Sequence, residues 1–162
     1  MITIPETLVE KTWGEFAGFT SDKAKKELMK IDNIQPDLLA FVTESSKEMG
    51  REVRELAIYM FLVVYRMFQK AHGRIKKISS DAIIKCYKHN EGLMEGLEGA
   101  HEKFLDRIAS IQTSKQPYVV NYVVDALMEE DEDAVALTEE QKGFLYLLLK
   151  TVIDVIDQLG TG

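Results

Sequence analysis

Apolar residues recur along most of this chain in steps of three and four, the spacing that lines one face of a helix. Residues 56–65 break the rule: LAIYMFLVVY is apolar without interruption. A surface helix carries one apolar stripe, so an unbroken run means a helix enclosed on every side. A membrane span needs about 20 such residues. The run therefore belongs at the centre of a water-soluble helical bundle or in a seam between two copies of the chain.

The same pattern sets out the other elements. Pro5 and Glu6 suit a first helical turn, and Leu8, Val9, Thr12, Trp13 and Phe16 follow at helical spacing. Thr20, Ser21 and Asp22 supply capping oxygens for a second short helix over about residues 21–31. A long helix is expected over residues 36–71. Its seam runs Val42, Ser46, Met49, Val53, Leu56, Met60, Val63 and Met67, polar only at Ser46. Gly50 marks a bend in it, and Gly73 a left-handed cap after it.

Ser79, Ser80 and Asp81 open a fourth helix expected to reach Ile111, although Gly92, Gly96 and Gly99 each cost about 1 kcal/mol inside it. Pro117 starts a fifth. Its valines favour strand, but Asn121, Asp125 and Glu129 recur every fourth residue and decide for helix. Thr138 and Gln141 form a capping box for a last helix ending at Gly160. The expected fold is all-α. It is an up-and-down bundle of about six helices with one long central helix, a single domain over 1–162 with short helices in 1–33 packed on it.

Three segments, residues 56–65, 118–128 and 144–149, are apolar on most faces. A monomer of this size is expected to enclose about one such helix, so a second copy is expected to shield the surplus. The expected product is a homodimer or higher oligomer. Ile58, Phe61, Leu62, Tyr65, Leu145 and Leu148 are the interface candidates. The alternative is that the short N-terminal helices cover these surfaces.

Composition narrows the function classes. Of 162 residues, 46% are apolar and 29% charged, enough for a sizeable core. The net charge of −7 argues against nucleic acid and anionic membranes, which call for a basic face. One cysteine, Cys86, leaves no intrachain disulfide and fits a reducing cytoplasm. MITIPETLVE has no basic region followed by an apolar run, so no signal peptide is read there. Cytoplasmic residence is expected.

Candidate chemistry is sparse. Glu98 and His101 form a Glu-x-x-His pair, the spacing that presents two metal ligands on one helix face; di-iron bundles use two such pairs. Here there is one pair, and Glu91, Glu95, Glu98 and Glu102 also read as an acidic stripe facing water. Cys86 and His89 lie three apart without a second pair of that kind, and structural packing is the simpler reading of Cys86. The acids of 129–133 lack the spacing of a calcium loop. Arg74, Lys76, Lys77, Lys85 and Lys88 make the one basic stretch, interleaved only with Tyr87.

Arg66 and His72 are separated by five residues. This resembles the motif of the HEPN-type ribonucleases, small α-helical dimers with an Arg, four to six residues and then a His. The likeness covers the motif and the fold class. Met67 stands where that family usually has a polar residue. The resemblance implies RNA cleavage by Arg66 and His72; the competing reading is an ion pair for Arg66 and a helix C-terminal charge for His72.

The function expected from these observations is a self-associating helical adaptor or regulatory protein without catalytic activity or cofactor, possessing an unidentified protein partner. The rival is a metal-dependent or hydrolytic, ribonuclease-like enzyme using Glu98 and His101, or Arg66 and His72.

Overall fold

The computed structural model describes residues 1–95 and 114–161. Within them the chain is helical, with no strand. Helices α1 (Glu6–Phe16), α2 (Ser21–Ile34), α3 (Pro36–Ser45), α4 (Arg51–His72) and α5 (Ser80–Glu95) precede α6 (Pro117–Leu127) and α7 (Glu139–Leu159). The helix expected to reach Ile111 is described as far as Glu95; Gly96, Gly99 and the rest of it lie outside the described residues. No described helix is long and apolar enough to cross a membrane.

Three helix starts follow from side-chain capping. Thr20 Oγ1 accepts from the Lys23 amide at 3.2 Å at the start of α2, and Ser79 Oγ accepts from the Ala82 amide at 3.2 Å at the start of α5. The capping box of α7 is complete: the Gln141 amide donates to Thr138 Oγ1 at 3.1 Å, and the Thr138 amide donates to Gln141 Oε1 at 3.0 Å. The valine-rich α6 is a helix, with Asn121 and Asp125 on its wet side.

The single rod expected over 36–71 is two helices, α3 and α4. Ser46 is fully buried and turns its hydroxyl back to the Val42 carbonyl at 2.7 Å. Gly50 then adopts φ +92°, which an L side chain resists. The polar break in the apolar seam and the glycine after it are one feature, a corner between two helices.

α7 packs against α3, α4, α5 and α6, while α1 lies on α4 and α6. Every residue over 60–65 is at most 2% exposed, and residues 145–153 of α7 are all buried. One chain therefore encloses a stretch of each of two helices, while both helices keep exposed residues such as Arg54, Arg66 and Glu140. Burial of residues 60–65 contributes on the order of 10 kcal/mol gross, at about 1.5–3 kcal/mol per large side chain. Over these two stretches the covering is supplied by the chain's own helices, with α1 lying on α4.

Two glutamines tie extended segments to this core. Gln35 stands between α2 and α3 and is fully buried. Its amide donates to the Lys76 carbonyl at 2.9 Å and accepts from the Ile78 amide at 2.9 Å. Gln116, at the start of α6, donates to the Ile2 carbonyl at 3.0 Å and to Asp157 Oδ1 at 2.8 Å. It accepts from the Ile4 amide at 2.9 Å.

Candidate functional site

A concavity of about 370 Å³ lies between α1 and α6. One wall is α1, where helical spacing brings Glu6, Glu10 and Trp13 to the same face. The other is α6, with Tyr118, Tyr122 and Asp125 one turn apart and Glu129 just past the helix end. Val9 and Ala126 give the floor apolar character.

Two aromatic rings stand at this groove unusually bare: Trp13 is 51% exposed and Tyr118 38%. Tyr122 is nearly buried, and its phenol is pushed far above the ordinary value by burial first, then by Tyr59 and the Glu129 charge. Glu129 is itself held above the usual carboxylate range, chiefly by its hydrogen bond with Asp131 and also by burial. Four carboxylates, those of Glu6, Glu10, Asp125 and Glu129, line the groove. Ion pairs among the described residues lie elsewhere, at the Met1 amine–Asp157, Lys30–Glu27, Arg51–Glu55, Lys70–Glu15, Lys142–Glu139 and Lys150–Asp154. Within those residues Glu6, Glu10, Asp125 and Glu129 have no cationic partner. No group of three or more His, Cys, Asp or Glu among the described residues could hold a metal ion.

The residues singled out in the sequence lie away from this groove. Arg66 and His72 both sit on α4, six positions apart, which puts them about 120° apart around the helix axis. Arg66 is exposed and adds its charge to that of Lys70 beside Glu15. The Lys70 hydrogen bond is the main reason the Glu15 carboxyl is held below its usual range. His72 Nε2 is 3.1 Å from the Ile2 carbonyl oxygen, in the last turn of α4. Arg66 and His72 are not brought onto one face. Glu98 and His101 lie outside the described residues.

The interface candidates Phe61, Leu62, Tyr65, Leu145 and Leu148 are at most 2% exposed in the single chain, and Ile58 is half-buried. The five buried side chains reach almost no solvent in the single chain, whereas Ile58 keeps part of its surface exposed. Tyr65 is fully buried without a well-formed hydrogen bond, its hydroxyl beside Gln35.

A second polar cluster lies in the seam between α5 and α7. The Asn90 amide donates to Asp154 Oδ2 at 3.1 Å and Thr151 Oγ1 at 3.3 Å, and Lys150 Nζ meets the same Asp154 oxygen at 2.6 Å. Cys86 lies beside it, and its thiol is pushed up to about 11 by burial and then by Asp154. A thiol so protonated is a packing group, not a nucleophile. His89 is exposed on the same helix, as are Lys85 and Lys88.

The groove was missed in the sequence because its two walls are about 110 residues apart. The one available signal was Trp13, a tryptophan on the acidic side of a short amphipathic helix. Comparison with known proteins finds no family model, no curated protein and no solved structure that matches this chain.

Proposed function

We propose that the protein is a non-catalytic adaptor or regulatory subunit that recognises a partner at the groove between α1 and α6. The observation that carries this reading is the pairing of exposed Trp13 and Tyr118 across one concave surface. Large aromatic rings supply most of the energy at recognition sites, and here they are left in water at the mouth of a groove. Self-association, expected as the means of shielding α4 and α7, loses that ground over the stretches covered within one chain. Residence in a reducing cytoplasm belongs to the same proposal, supported by the lone thiol of Cys86.

Panning a displayed peptide library on the immobilised chain tests it. Selected peptides should lose at least tenfold in affinity on Trp13→Ala or Tyr118→Ala, the effect of a recognition hot spot of about 1.4 kcal/mol or more. Peptides that bind both variants as well as the parent would remove the groove from the proposal.

A further inference from the structure

We infer that the α1–α6 groove takes a basic peptide segment of a partner protein, with Lys or Arg head groups lodged against Trp13 and Tyr118 and between two pairs of carboxylates. This rests on the recognition reading above and specifies the chemistry of the partner.

Three observations converge. First, the walls are built of the two groups that attract an organic cation. Aromatic faces draw an ammonium or guanidinium through the ring quadrupole, and carboxylates draw it by charge. Second, Glu6, Glu10, Asp125 and Glu129 have no lysine or arginine partner among the described residues, although the chain contains 20 such residues. Third, these acids do not gather closely enough to chelate a metal ion. A divalent cation needs its oxygens converged within about 2.0–2.6 Å of one point. Carboxylates spread over two facing helices suit a larger, more diffuse cation.

Spacing favours a peptide. Glu6 and Glu10 stand four residues apart on α1, and Asp125 and Glu129 four apart along α6 and its end. Four helical residues rise about 6 Å. Alternate side chains of an extended peptide recur at about 6.6 Å on one face. Basic residues at alternate positions therefore match the pitch of both acid pairs. The net charge of −7 steers such a segment toward the chain from a distance.

Trp13 is the one tryptophan in the sequence, so its emission reports directly on the groove. The probe is an end-blocked seven-residue peptide with arginine at alternate positions and glycine between. Its citrulline and glutamate counterparts and spermidine are the controls. The arginine peptide should shift Trp13 emission saturably, with affinity that weakens as salt rises. The citrulline and glutamate peptides should not.

Glu10→Gln or Asp125→Asn should weaken binding about fivefold each, the scale of an exposed ion pair. Asp81→Asn, the same charge change at the exposed start of α5, which packs against α3 and α7 rather than the groove walls, should leave it unchanged. Equal loss in Asp81→Asn would mean non-specific charge attraction and overturn the inference. So would equal binding of the citrulline peptide, but that result would leave groove recognition standing. Binding of spermidine without the arginine peptide would replace the peptide with a small polyamine. If no peptide shifted Trp13 emission, and none selected on the chain depended on Trp13, the recognition reading itself would fall.

Discussion

Gln35 and Gln116 make the same connection at two distant places. Each precedes a proline, each lies at a helix start, and each buries its amide completely or nearly so. Each donates to a backbone carbonyl and accepts from the amide two residues later, Lys76 and Ile78 for Gln35 and Ile2 and Ile4 for Gln116; Gln35 also donates to the Ile75 carbonyl at 3.4 Å. A side-chain amide thus binds an extended segment as a neighbouring strand would. The proline explains the position. It drives the residue before it out of helical geometry, so the glutamine sits at a corner with its side chain free to reach across the core.

Removing either amide leaves buried backbone groups unpaired, at about 1–3 kcal/mol for each group. Gln35→Ala and Gln116→Ala should each lower stability by about 2–4 kcal/mol in urea unfolding. Gln35→Glu places a buried carboxylate against the Lys76 carbonyl and should cost at least as much as Gln35→Ala well above the carboxyl's titration, and less than that below it, where the acid can donate. Losses below about 0.5 kcal/mol, the range of an ordinary surface change, would show that water replaces these bonds freely.

Two glycines should respond in opposite directions to alanine. Gly50 holds φ +92° at the corner between α3 and α4, with open space where a side chain would sit. The cost of Gly50→Ala is therefore backbone strain alone, about 1–2 kcal/mol. Gly92 lies inside α5, also facing open space, and Gly92→Ala should stabilise by about 0.5–1 kcal/mol. Thermal unfolding of the two variants side by side checks both signs. A stabilised Gly50→Ala would mean that α3 and α4 can straighten into one rod.

Alkali should unfold the protein cooperatively. Tyr59, Tyr65, Tyr87, Tyr122 and Tyr146 all hold their protons above the ordinary value, principally because burial disfavours the phenolate; Tyr146 is pushed up to about 12. Their unfolded counterparts titrate near 10. Above that value the unfolded chain sheds protons that the folded chain keeps, so stability is whole below about pH 10 and declines as pH rises beyond it. Cys86, with its thiol near 11, acts in the same direction from its lower unfolded value. Phenolate absorbance at 295 nm should therefore rise together with the loss of helical circular dichroism. Phenols that ionised fully near pH 10 with helicity intact would contradict this.

What could be read from the sequence depended on whether the signal was local. Caps at Thr20, Ser79 and Thr138, and the helical period under the valines of α6, are decided within a few residues, and these elements stand where the pattern put them. The corner at Ser46 and Gly50 was visible as two separate blemishes. What they imply together depends on α7 and α5 lying against α3. The apolar run over 56–65 foretold enclosure, which holds for Ala57 and residues 60–65 but only partly for Leu56, Ile58 and Tyr59, and it did not say by what. Apolar content reports how much must be covered, and only the fold reveals that α1 and α7 do the covering. The groove, the glutamine ties and the Asn90 cluster join residues far apart in sequence, where no periodicity could signal them.

The most deeply enclosed helices are also widely separated in order. α7 begins about 70 residues after α4 ends, and the two pack together. At about 5–20 residues per second, a ribosome would emit the greasy centre of α4 several seconds before its cover. Throughout that interval the newborn polypeptide displays a sticky surface to its surroundings. Production in cells should accordingly be sensitive to chaperone supply and to cooling, whatever the finished molecule's own robustness.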